Sequence, residues 1–158
     1  MTQALISRLT LAFLLSVAAA GATPTGEAQA PNREAPVTRS AGDALQWGPC
    51  PAIFPSGCEI AVLHGDPAKP NADVFLRIAG GKALPAHTHT SEERMVLVSG
   101  ELNVRYEGSA MTTLTPGEYA YGPANLPHEA TCMSTTPCVL FIAFEGPVDA
   151  LAHAGLDD

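Results

Sequence analysis

Two imidazoles and a carboxylate, His87, His89 and Glu93, stand close together in this 158-residue chain. His87 and His89 are two positions apart, so on an extended strand both rings leave the same face. Glu93 keeps that parity and opens the apolar run Met95-Val96-Leu97-Val98. A turn through Thr90, Ser91 and Glu92 would return its carboxylate to the same pocket. Such a donor set suits a divalent first-row transition metal. Glu92 has the opposite parity and is expected in solvent. His64 and His153 stand apart from this cluster and are expected on loops or surface, since a lone His is weak evidence for a ligand.

The elements around these residues read as short strands. Runs at 59–63, 73–78, 94–98, 102–106, 111–114, 118–121, 128–132 and 138–144 are rich in β-branched and aromatic residues. Gly, Pro or Asn separates most of them, as in Gly80-Gly81 and Thr115-Pro116-Gly117. Val74, Leu76 and Ile78 alternate with Phe75 and Arg77, and Leu102, Val104 and Tyr106 are expected inward. This pattern predicts an all-β, antiparallel sandwich or barrel in a single domain. The one helix expected is short, over 148–154, in a C-terminal tail of residues 148–158. Met95, Tyr106, Tyr119, Tyr121 and Phe141 are candidates for the pocket wall, and a phenol there could serve as a proton donor.

The N-terminus reads as a secretory signal peptide over residues 1–22. Arg8 gives the positive n-region, residues 9–20 the apolar run, and Ala20-Gly21-Ala22 the small-residue cleavage site. The apolar run is shorter than the roughly 20 residues of a spanning helix. Residues 23–43 are rich in Ala, Pro, Thr and Glu without periodicity, and read as a flexible linker. The folded domain is then 44–147, large enough for one core. A periplasmic or secreted location follows. Loss of Arg8 takes the formal charge from −8 to −9. An acidic chain without a Lys/Arg cluster argues against nucleic acid, or a membrane after signal removal, as partner.

Four cysteines follow: Cys50, Cys58, Cys132 and Cys138. In an oxidising compartment an even count suggests disulfides, with three pairings open. The sequence-local pairing joins Cys50 to Cys58 across a Pro- and Gly-containing loop, and Cys132 to Cys138 across a hairpin tip. A Cys₂His₂ zinc site fails on spacing, because neither pair is Cys-x₂₋₄-Cys.

The run Gly81-x₅-His87-x-His89-x₃-Glu93-x₆-Gly100 resembles the first motif of the cupin superfamily at every position. Gly117-x₅-Pro123-x-Asn125-x₂-His128-x₃-Cys132 resembles the second with two departures. Asn125 stands where the family has Gly, a mild change because Asn tolerates the left-handed conformation. Cys132 stands where it has Asn, which is not a ligand position. The chain is similar to small bacterial single-domain cupins over residues 59–145. The resemblance implies a jelly-roll barrel (a double-stranded β-helix) and a metal held by His87, His89, Glu93 and His128. Fe, Mn, Ni, Cu, Co and Zn all suit three imidazoles and one carboxylate, and an octahedral shell would keep two positions open. The activities it implies are dioxygenation first, with isomerase or lyase chemistry as others, on a small-molecule substrate. The alternative is a non-catalytic metal- or ligand-binding sensor, and the family also allows a homodimer.

Overall fold

Alternation of apolar and polar residues sets the whole architecture. The computed structural model describes Val37, Arg39, Ser40 and residues 44–157, and among these every regular element is a strand. The segment read as a signal peptide and most of the linker lie outside the described residues. No helix of the described residues is long and apolar enough to cross a membrane.

Eleven strands are formed among the described residues: β1 (Gly48–Pro49), β2 (Cys58–His64), β3 (Ala72–Ile78), β4 (Ala83–Thr88), β5 (Glu93–Ser99), β6 (Leu102–Tyr106), β7 (Thr112–Leu114), β8 (Tyr119–Gly122), β9 (His128–Cys132), β10 (Cys138–Phe144) and β11 (Leu151–Ala152). They make two antiparallel sheets. One has the order β1-β2-β3-β10-β5-β8, the other β11-β4-β9-β6-β7. The core lies between them. Val74, Leu97, Leu140 and Ile142 come from the first sheet, and Leu84, Leu102, Val104 and Ala130 from the second. Each buried Val or Leu contributes roughly 1.5–3 kcal/mol of transfer free energy.

Disulfides join Cys50 to Cys58 and Cys132 to Cys138. Both pairs fit a non-reducing, extracytoplasmic environment. The second spans the connection from β9 in one sheet to β10 in the other, so the hairpin tip expected there is instead a crossing between sheets. Gly100 packs against it so tightly that a Cβ there would lie 2.8 Å from the Cys138 sulfur.

Two further expectations are corrected. Residues 148–154 are not helical; Leu151 and Ala152 pair with Thr88 and His87 as an edge strand. A seven-residue helix gains little against its nucleation cost, and here the tail's backbone groups are engaged by β4 and its neighbours. Tyr106, Phe141, Tyr119 and Tyr121 are not among the residues that line the pocket. Phe141 meets Phe75, its register partner, edge to face on the outer side of the first sheet. Tyr119 and Tyr121 project from edge strand β8 and are 56% and 48% exposed.

Candidate functional site

His87 and His128 are register partners on β4 and β9, so their rings leave the same face of the second sheet, 4.2 Å apart between centroids. Tyr106 on β6 is the next partner in that row, with its ring 5.1 Å from that of His128. His89 lies just beyond the end of β4, in the connection that crosses to the other sheet. Glu93 opens β5 there. The donors therefore converge from both sheets. The Thr90–Glu92 turn does bring Glu93 toward the histidines, as expected, by changing sheets. Asn125 adopts φ 61°, the left-handed conformation expected of its position, and its N–H donates to the His89 carbonyl at 2.8 Å.

All four side chains are buried. The three candidate imidazole donor atoms lie within 4.8 Å of one another. Each ring has Nδ1 on a backbone carbonyl: His87 on Pro85 O at 2.7 Å, His128 on Leu126 O at 3.2 Å, and His89 on Asp149 O. A carbonyl only accepts, so Nδ1 carries the hydrogen and each Nε2 turns a lone pair inward. Glu93 meets those lone pairs, with Oε1 3.2 Å from His128 Nε2 and Oε2 3.5 Å from His89 Nε2. With Glu93 ionised, as a metal ligand must be, these are contacts between acceptors. Glu93 Oε1 accordingly has no hydrogen-bond partner.

The electrostatics follow from burial. Desolvation pushes the His87 pKa down to about 4. Desolvation, then the neighbouring His87, pushes that of His128 to about 3. Burial also lowers His89. The histidines are thus neutral at ordinary pH, the form that binds metal. Burial raises Glu93 to about 8, because its charge has no compensating partner. Three inward lone pairs beside a carboxylate that lacks a counter-charge fit a divalent cation in chemistry and geometry. Tyr106 is also raised, by burial first and then by Glu93, and its hydroxyl has no partner.

Apart from Asp149, the remaining lining is apolar. Met95 lines the pocket, as expected, with Ile60, Val74, Leu76, Leu140 and Phe144 among its neighbours. Phe54, from the loop stapled by Cys50–Cys58, sets its ring edge to face on His87 at 4.7 Å. The sequence reading missed three contributors. They are Phe54, Asp149 and Gly122, where a Cβ would lie 2.6 Å from Glu93 Cγ. Gly122 could have been suspected from the Gly122-Pro123 turn signal at the end of its strand; nothing marked the other two. His64 and His153 are exposed, and Glu92 is half-buried outside the pocket lining.

Residues 74–144 match the Cupin domain family. No curated protein matches the chain. Among solved structures, the DMSP lyase DddQ from Ruegeria pomeroyi is 21% identical with a TM-score of 0.59, over 72% of this chain and 64% of that one. An RmlC-like cupin from Shewanella frigidimarina is 21% identical with a TM-score of 0.54, over 73% and 91%. KdgF from a Halomonas species is 19% identical with a TM-score of 0.53, over 63% and 86%. The chain spans less than two thirds of the lyase's length, and at these identities the likeness is one of fold. Two antiparallel sheets around a His87/His89/His128 cluster, with the family match over residues 74–144 and the likeness of fold, show that this chain carries a cupin domain.

Proposed function

We propose that this is an exported, metal-dependent enzyme of small molecules, with one divalent transition metal held by His87, His89, His128 and Glu93. The convergence of three imidazole lone pairs on an unpartnered buried carboxylate carries the reading. The apolar N-terminal run and the two disulfides support export. When bound, the ion supplies Lewis acidity and, for metals other than zinc, access to redox chemistry.

The chain's own residues bind, orient and exclude water. The carbonyls of Pro85, Leu126 and Asp149 fix the imidazole tautomers. The apolar wall suits a substrate with an oxygen donor at one end and an apolar body. Beyond the four proposed ligands, Asp149 is, among the described residues, the one titratable side chain in the pocket lining, and its carboxylate already accepts from Thr90. Lyase or isomerase chemistry needs a placed general base. The lining offers none that is uncommitted, which favours an oxidoreductase of dioxygenase type.

Tyr106 supports a second reading. Its buried, unpartnered hydroxyl beside the His128 ring is a proton carrier of the kind that elimination or isomerisation uses. A non-catalytic sensor would need the same metal and no turnover. Protein recovered from the exported fraction of its native host should carry about one metal per chain. Replacing His87 and His89 by Ala should abolish it. Oxygen uptake with a panel of polyphenols and diketones supports the first reading; turnover without oxygen uptake supports the second. Wild-type protein without stoichiometric metal refutes both.

A further inference from the structure

His89 is held differently from its two partners. His87 and His128 donate to carbonyls two residues back in their own segments, Pro85 and Leu126. His89 donates to the carbonyl of Asp149, sixty positions along the chain. β4 ends at Thr88, so His89 lies outside the strand ladder. Asp149 compensates by fastening itself to the next residue. Its Oδ1 accepts from Thr90 N–H at 2.9 Å, and its Oδ2 from Thr90 Oγ1 at 2.5 Å. The segment around it is tied at both ends, by Val148 N–H to Pro67 O at 2.8 Å and by His153 N–H to Ala86 O at 2.9 Å. Val148, Asp149 and Ala150 also line the pocket.

We infer that Asp149 is the positioning residue of His89, and that the C-terminal segment it anchors is part of the metal site. This rests on the metal reading above. The carboxylate grips Thr90, the grip sets the Asp149 carbonyl against His89 Nδ1, and that contact turns Nε2 toward the centre. Asp149→Ala removes the grip and leaves the carbonyl free to drift. Asp149→Asn keeps an acceptor for Thr90 N–H and should rescue most of the loss. Loss of such an outer partner typically weakens metal binding by roughly 10–100-fold.

The test has two arms, both on the full mature chain. In chelator-stripped protein, ring ¹⁵N–¹H spectra should show His89 as the Nδ1–H tautomer. Asp149→Ala should mix its tautomers and leave His87 and His128 unchanged. In the second arm, zinc affinity measured against a chromogenic chelator should fall by roughly 10–100-fold in Asp149→Ala and recover in Asp149→Asn. An unchanged His89 tautomer, or a zinc affinity equal to wild type, overturns the assignment. If wild-type protein binds no zinc, the metal reading fails, and the tautomer arm alone decides the positioning role. Should Asp149→Ala not fold, Thr90→Val, which deletes one of the two contacts, is judged by the same spectra and affinities with a smaller loss expected.

Discussion

Replacing Glu93 by Gln should stabilise the metal-free protein and abolish the stabilisation that metal gives. In the metal-free state Glu93 is buried and its pKa is raised from 4.5 to about 8. The unfolded chain releases this proton near pH 4.5, whereas the folded chain keeps it until about pH 8. Between those values the folded state binds more protons, so stability falls as pH rises. The contribution is fully present below pH 4.5 and is lost through pH 8. The loss amounts to about 3 kcal/mol at pH 7 and about 5 kcal/mol above pH 9. Gln has no proton to lose, and its amide can donate to the His128 Nε2 that Glu93 Oε1 faces at 3.2 Å. Urea unfolding of chelator-stripped protein, disulfides intact, at pH 5, 7 and 9 reads the difference. The advantage of the Gln variant should grow from about 1 kcal/mol at pH 5 to about 3 kcal/mol at pH 7 and about 5 kcal/mol at pH 9. The histidines do not confuse the comparison, because their depressed pKa values cost stability only as pH falls below 6.5, equally in both proteins. With metal at 100 times its Kd the wild type regains about 2.7 kcal/mol that the variant lacks. Parallel pH curves for the two metal-free proteins would refute the argument.

Metal uptake at pH 7 should release close to one proton, because Glu93 is mostly protonated and the histidines are already neutral. Affinity should therefore rise about tenfold per pH unit between 5 and 8 and level off above. Calorimetry in two buffers of different ionisation enthalpy measures the count, and a release near three would mean that the imidazoles bind protons. Gly122→Ala places a Cβ 2.6 Å from Glu93 Cγ and 2.7 Å from Oε1. It should displace the carboxylate and weaken zinc binding about tenfold or more while the fold persists; chelator competition checks it, and unchanged affinity contradicts it. Removing the Cys132–Cys138 bridge by a double Ala substitution frees a loop of sequence separation 6. The loss should be about 2 kcal/mol by denaturant unfolding, and no loss would mean the β9–β10 connection is held without it.

The parts of this molecule legible in its sequence are those with a local signature. Period-two alternation located most strands, and His87-x-His89 declared a common face. What stayed hidden depends on which sheet a strand joins. Tyr119 and Tyr121 share a face by parity alone, but only the pairing of β8 at the sheet edge turns that face outward. Glu93 returns through the expected Thr90–Glu92 turn, but from the opposite sheet, so the site exists only once the two sheets have closed on each other. The tail shows the same lesson in its backbone. A helix over 148–154 would direct the Asp149 carbonyl to the N–H of His153. In the fold these two groups part company, the carbonyl taking His89 Nδ1–H and the N–H reaching Ala86. A seven-residue stretch with no strong period has little propensity to defend. The partners that decide it stand some sixty residues earlier, and the imidazole they leave in place is the one without a carbonyl of its own segment.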